Sequence, residues 1–211
     1  MPKVSTTRMA LLNRKAQLEL TRKGHDLLEK KRTALMQEIM RVATTVLEAN
    51  AELKQTADQA RLALAHAEAY AGFEEVQSAA VAARKEFSIK IDSLNLMGVR
   101  VPRIERSSAA RSVFERGYSV VGTPAVIDEA AEAFEYEIDA IIQLADRELR
   151  LTRLLDEIQR TNRRLNALEQ TIIPRLTGEI KYIQLSLEER ERSDHFRLKI
   201  AKRLLERKKE A

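Results

Sequence analysis

From Leu11 onward, apolar residues recur at alternating steps of three and four for about sixty residues. The series is Leu11, Leu18, Leu28, Leu35, Ile39, Val42, Val46, Ala49, Leu53, Ala60, Ala63 and Ala67, with Arg14, Thr21, His25 and Arg32 interrupting its first half. A seven-residue period held this long predicts one helix, roughly 90 Å long at ~1.5 Å per residue, supercoiled left-handed around a partner. Thr6 or Thr7 is placed to cap its start.

A second stripe begins after Thr123-Pro124, a cap residue followed by a proline suited to the first helical position. It steps through Phe134, Ile138, Ile141, Leu144, Leu151, Leu155 and Ile158, then Leu165, Ile172, Leu176, Ile180, Ile183 and Leu187. Asn162 falls on this seam, where a polar residue fixes register at some cost in stability. Charged residues fill nearly everything between, so the apolar face is narrow and suits one partner helix better than a broad core. Pro174, with Gly178 one turn on, predicts a bend, because proline removes a backbone donor. The seam slips at the same place, since a step of four repeats from Leu176 to Ile180.

Between the stripes the helical period is lost. Residues 72–123 hold four of the six glycines. Phe87, Ile89 and Ile91 alternate with polar residues, Asn95-Leu96-Met97-Gly98 reads as a turn, and Val99 and Val101 form a return strand. Pro102 closes that strand and belongs on an edge. The expected hairpin spans about 87–102, and 105–122 reads as loop with one helical turn at most. The chain therefore divides into a helix over 1–71, an insert over 72–123 and a helix over 124–211. The fold class is mainly α, a long antiparallel left-handed coiled coil of N- and C-terminal helices with a small insert carrying a short β-hairpin. That arrangement puts both termini at one tip and the insert at the other.

Composition agrees. Charged residues make up 33%, aromatics 4%, and there is no cysteine or tryptophan, a balance nearer to coiled coils than to compact enzymes. No disulfide framework exists and no apolar run approaches a membrane span, so a cytoplasmic chain without direct membrane insertion is expected. Charge is uneven. Residues 1–32 carry nine Lys/Arg against three Asp/Glu and residues 195–211 seven against two, leaving the 162 residues between with a net −6. Solvated helix ends account for part of this. The alternative is a docking surface for something acidic.

Candidate chemistry is sparse. There is no phosphate-cradling glycine loop and no dinucleotide fingerprint, and no metal or other cofactor is expected. His25, His66 and His195 lack metal-ligand spacing, and His25 sits on the seam as a packed residue. Glu188, Glu189 and Glu191 alternate with Arg190 and Arg192 as a salt-bridged helix face. The basic ends suit nucleic-acid backbones, yet the aromatics do not interleave with them as stacking platforms. Two readings stay open on these grounds, a structural coiled-coil adaptor and a basic nucleic-acid-binding coiled coil.

Short motifs go further. Thr7-Arg8-Met9, Gly24-His25-Asp26-Leu27-Leu28 and Lys30-Lys31-Arg32 stand in the first helix. Met97-Gly98-Val99 and Val101-Pro102 stand in the insert. Arg163-Arg164-Leu165-Asn166-Ala167-Leu168-Glu169, Ile173-Pro174, Leu187-Glu188-Glu189-Arg190-Glu191-Arg192 and Phe196-Arg197-Leu198-Lys199 follow in the second helix. In that order and spacing the chain resembles the D subunits of the V/A-type ATPases over nearly its whole length. Thr6 departs from the proline usual there, and Asn162 from the usual arginine or threonine. The resemblance implies a non-catalytic rotor shaft inside a hexameric ring of alternating catalytic and regulatory subunits (A and B). It also implies joining the small F subunit of the stalk and a funnel-shaped subunit above the membrane rotor ring, as a peripheral part of a membrane-bound complex. Nucleotide chemistry would belong to the ring, and the shaft would couple it to ion translocation. Nucleic acid is not an expected partner. The residues expected at partner interfaces are Arg8, Lys15, Arg163, Arg164, Arg197, Lys199, Lys202 and Arg203. The hairpin is expected to modulate ATPase activity.

Overall fold

The computed structural model describes residues 5–84, 88–105, 109–119 and 121–209. Helix α1 runs over Arg8–Ala71 and α2 over Phe73–Ala82, strands β1 and β2 over Ile91–Leu96 and Val99–Ile104, and α3 over Ala125–Ala167. A π-helical turn, Leu168–Ile172, joins α3 to α4, which covers Ile173–Lys209. Thr7 is the cap of α1, its hydroxyl accepting the Ala10 N–H at 3.1 Å. Gly72, at φ 89°, ends that helix in a conformation that few other residues adopt. Helix α2 was not legible in the sequence, because ten residues with three alanines carry too little apolar contrast.

The chain forms two compact units: residues up to Thr33 with those from Gln159 onward, and Ala34–Ile158. Each is built on antiparallel helix pairing. In the central unit, Leu35, Ile39 and Val42 of α1 pack with Leu154 and Ile158 of α3, and Val99 and Val101 of β2 complete the cluster. A second cluster joins Ala67, Ala79, Ile127 and Ala130. In the terminal unit, Arg14 of α1 lies 3.0 Å from Glu179 of α4, and Arg8 lies 2.6 Å from Glu191, so the helices run in opposite directions there too.

The hairpin forms, with its strands displaced from those expected. Ile89 lies outside β1, and Phe87 lies outside the described residues. Strand β1 continues through Leu96, leaving Met97 and Gly98 as a two-residue turn at φ 52° and 80°. Positive φ at both central positions is the mirror-image turn whose twist matches an antiparallel pair. Pro102 does not close β2. It sits inside the strand opposite Ser93, and Ile104 follows it, paired with Ile91. A two-stranded sheet has only edge strands, so a missing N–H is tolerated at mid-strand.

Five positions on the second stripe also differ. Ile138, Ile141 and Leu155 are exposed, while Ala140, Leu154 and Thr161 are buried. Two columns run side by side along α3, and the inward one includes Leu154, which packs on Leu35, Ile39 and Val42 of α1. Asn162 stands beside the seam position, which Thr161 occupies, and the Asn162 side-chain oxygen is enclosed without a protein partner. Ile172 is exposed and Ile173 takes its seam place, because the helix changes period in the turn just before it. At the start of α3, the Thr123 hydroxyl donates to Ser119 O at 2.6 Å instead of capping, and the helix begins one residue after Pro124.

Candidate functional site

The terminal unit ends in an extension. Helix α1 starts beside Glu191: Arg8 pairs with that carboxylate, and Arg190 donates to the Thr6 carbonyl at 3.0 Å. Helix α4 continues to Lys209, and every side chain from Glu188 to Leu205 is exposed. Phe196, Ile200 and Leu204 follow one another at four-residue spacing, hence on one line of this helix. Arg197 and Arg203 flank that line, Lys199 stands farther round and Lys202 on the opposite face of the helix, with Arg197 3.7 Å from Asp194. A helix this exposed gains little from its own propensity, and its apolar line is left open to solvent.

Of the other basic candidates, Lys15, Arg163 and Arg164 are exposed or half-exposed. Arg163 and Arg164 precede the π turn and stand several helical turns from the extension, so the structure does not gather all eight candidates into one patch. The two basic segments are also not side by side. The basic start of α1 runs along α4 before the extension begins and meets acidic partners there. Glu179, with its side chain 10% exposed, lies 3.0 Å from both Arg14 and Arg175, although its oxygen toward Arg14 receives no well-directed hydrogen bond.

The central unit contains a second arrangement, one that the sequence pattern did not announce. Asp128, Glu135, Asp139 and Asp146 are spaced seven, four and seven residues apart on α3, which places all four carboxylates on one line. Each receives the insert. Asp146 accepts the Ile104 N–H at 2.9 Å, Asp139 the Ala109 N–H at 2.8 Å, and Glu135 the Arg111 N–H at 3.2 Å. Arg116, 6% exposed, donates twice to Glu135 at 3.0 Å, to the Asp128 carboxylate at 3.2 Å and to the Asp128 carbonyl at 3.3 Å. This bidentate bond holds the guanidinium proton well above its usual pKa, against the opposing effect of burial. The Tyr118 hydroxyl donates to Asp128 at 2.7 Å, and burial together with that bond pushes its pKa up to about 12. Gly117, at φ 89°, lies where an added Cβ would stand 2.6 Å from the Ala82 carbonyl, so the loop passes close to the end of α2. Four of the acids in the middle of the chain thus lace the insert to α3. Its signal was present in the heptad spacing of four acids, but heptad-spaced acids read equally well as a solvated face.

A cavity of about 460 Å³ lies between α1, α2 and α3, walled by alanines, Ile127 and Phe134, with Arg111 and Arg116 at its polar side. It holds no nucleophile beside a base. Among the described residues no group of three His, Cys, Asp or Glu is placed to hold a metal ion, and no helix is long and apolar enough to cross a membrane.

Helix pairs with heptad seams, a small laced insert and an exposed basic extension define a coiled-coil protein that works through contact with other chains. The chain belongs to the family of ATP synthase D subunits, whose model matches residues 10–203. It is 41% identical over 203 residues to the D subunit of the A-type ATP synthase of Thermococcus gammatolerans, covering 96% of this chain and 95% of that one. The corresponding D subunit of Methanosarcina mazei is 39% identical over 199 residues, covering 94% and 95%, and that of Pyrococcus horikoshii 40% over 204 residues, covering 97% and 95%.

Proposed function

We propose that this chain is the central stalk subunit of an A-type ATP synthase, the turning shaft that links nucleotide turnover in a catalytic ring to ion movement through a membrane rotor. The observation that carries the reading is the family match, which runs through both long helices and the insert alike. Physical features support it. A shaft transmits torque through packed seams, which resist deformation because interiors are close-packed. It must also present different contacts to the ring subunits it meets in turn, so that each is stabilised in a different conformation. The extension carrying the apolar line of Phe196, Ile200 and Leu204 and the basic residues Arg197, Lys199, Lys202 and Arg203 is the surface assigned to the ring of A and B subunits. Arg8 and Lys15 extend that surface, and Arg163 and Arg164 serve the ring or the small F subunit of the stalk. The insert end is assigned to the funnel-shaped subunit, and the hairpin to modulation of turnover. The chain itself performs no nucleotide chemistry.

The test is co-purification of the full chain with ring subunits, followed by single-molecule rotation. Truncation before Ser193 should leave the central unit folded and abolish ATP-driven rotation. A chain that never associates with ATPase ring subunits would sink the proposal.

A further inference from the structure

The seam of the second helical path contains one residue too many. Its buried and half-buried positions run Leu151, Leu154, Ile158, Thr161, Leu165 and Leu168, then Ile173, Leu176, Ile180, Ile183 and Leu187. Every step is three or four except that from Leu168 to Ile173, which is five. A continuous heptad would have placed Ile172, Arg175, Glu179, Tyr182 and Ser186 on the seam, largely polar residues. One inserted residue therefore shifts the phase of everything after it by roughly 100° about the helix axis.

The structure localises this insertion in a single turn. Leu168–Ile172 is π-helical, with the Ile173 N–H bonded to Leu168 O five residues back instead of four. Pro174 follows at once, and because it has no N–H, a carbonyl in this turn has no intrahelical donor from it. Glu169, Gln170, Thr171 and Ile172 are all exposed, so the extra residue bulges away from the seam. Across the seam α1 offers little to hold it. Counting back from the Arg14–Glu179 contact, the antiparallel register sets Thr21 and His25 opposite this turn, and neither is buried.

We infer that this turn is the torsionally soft element of the stalk, a place where twist is taken up by exchange between five-residue and four-residue hydrogen bonding while the seams on either side stay packed. The inference rests on the stalk reading. Seam packing does not require the insertion, since removal of one exposed residue, Thr171, would yield an unbroken heptad from Leu151 to Leu187. A sequence that keeps both an extra residue and a proline gives up helical hydrogen bonding that could have been retained, and π turns of this kind concentrate at functional positions. A shaft driven at one end and loaded at the other needs a segment that stores twist between the two. This turn is the one place among the described residues of the long helices where the hydrogen-bond ladder changes period.

The test compares the native chain, Pro174→Ala, and a variant that lacks Thr171 and also carries Pro174→Ala. Amide hydrogen exchange on the full chain should show residues 169–173 exchanging roughly ten-fold faster than residues 180–187. In the double variant those amides should slow to the rate of their neighbours, with helicity retained and thermal stability raised. In the stalled reconstituted complex, the angular fluctuation of a bead on the stalk should then narrow. Pro174→Ala alone keeps the inserted residue and should give an intermediate exchange rate, which keeps the test decisive even if the double variant misfolds. Native amides at 169–173 as slow as those at 180–187, or unchanged fluctuation in a well-folded double variant, would overturn the inference. Failure of the native chain to join the ring would count against the stalk assignment instead.

Discussion

Helix α1 passes through both compact units, and its seam differs between them. Before Thr33 the seam positions hold Leu11, Arg14, Leu18, Thr21, His25, Leu28 and Arg32, and every one is only half-buried. Beyond Thr33, Leu35, Ile39, Val42, Ala49, Ala60 and Ala67 are buried. Two helices alone shield only a strip of each other, whereas the central unit adds a third layer: β2 over Leu35–Val42 and α2 beside Ala67. Along α1 the same heptad thus yields buried positions where the insert covers it and half-buried ones before Thr33, although Leu165, Leu176, Ile180 and Ile183 on the facing side of that seam are buried. In the central unit stability resides in burial. The terminal unit keeps polar residues on the α1 side of its seam and an exposed extension, at a cost in stability.

The largest test of this contrast is a matched pair of truncations. Leu154→Ala, at a fully buried position beside Leu35, should cost about 2–5 kcal/mol in denaturant unfolding. Leu18→Ala, on the half-buried seam, should cost about 1 kcal/mol. Equal losses would mean that the third layer contributes nothing.

Next comes the lacing of the insert. Arg116→Met removes the cation between Glu135 and Asp128 and leaves two partly buried carboxylates facing each other. A loss of about 3 kcal/mol is expected, because breaking one side of a buried pair costs more than the pair contributed. Limited proteolysis should then cut within residues 105–119 before it cuts the helices; unchanged resistance would show that the insert is held by its apolar contacts alone.

A smaller effect lies at alkaline pH. The folded state raises the Tyr118 pKa from 10.0 to about 12, so it favours the neutral phenol. That contribution is fully present below pH 10 and is lost as pH rises through about 12. Tyrosinate absorbance should show one of the four tyrosines titrating late, and Tyr118→Phe should abolish the late step. The smallest change should be a gain. Thr21→Leu on the wet seam removes a hydroxyl that only bonds back to Gln17 O, and is expected to stabilise by under about 1 kcal/mol. Destabilisation there would mean that the polar seam is tightly packed after all.

Much of this was legible in one dimension. The stripe from Leu11 to Ala67 maps residue for residue onto the inward face of α1, because a heptad in a long helix leaves one line available for burial. Met97-Gly98 marked the hairpin turn, and Pro174 marked the irregularity in the second helical path. The strand ends were not legible, since Ile89 and Ile91 alternate as well as Leu94 and Leu96 do, and only pairing with β2 selects among them. Nor was the choice between the Ile138–Ile141–Leu155 column and the Ala140–Leu154–Thr161 column, because both carry apolar residues at helical spacing.

The sequence by itself therefore determined the two long helical paths, where the insert falls, where the second seam slips, and that charge concentrates at the ends, but not the short helix α2. Those properties are set by local period and composition, which act before any two segments meet. Tertiary structure decided which of two columns on α3 became the seam, that Ile173 replaced Ile172, and that four acids on α3 bind the insert in place of solvent. Each of those outcomes depends on what lies opposite. A side chain's own chemistry admits both burial and exposure, and only the approach of a particular neighbour makes one of them lower in free energy.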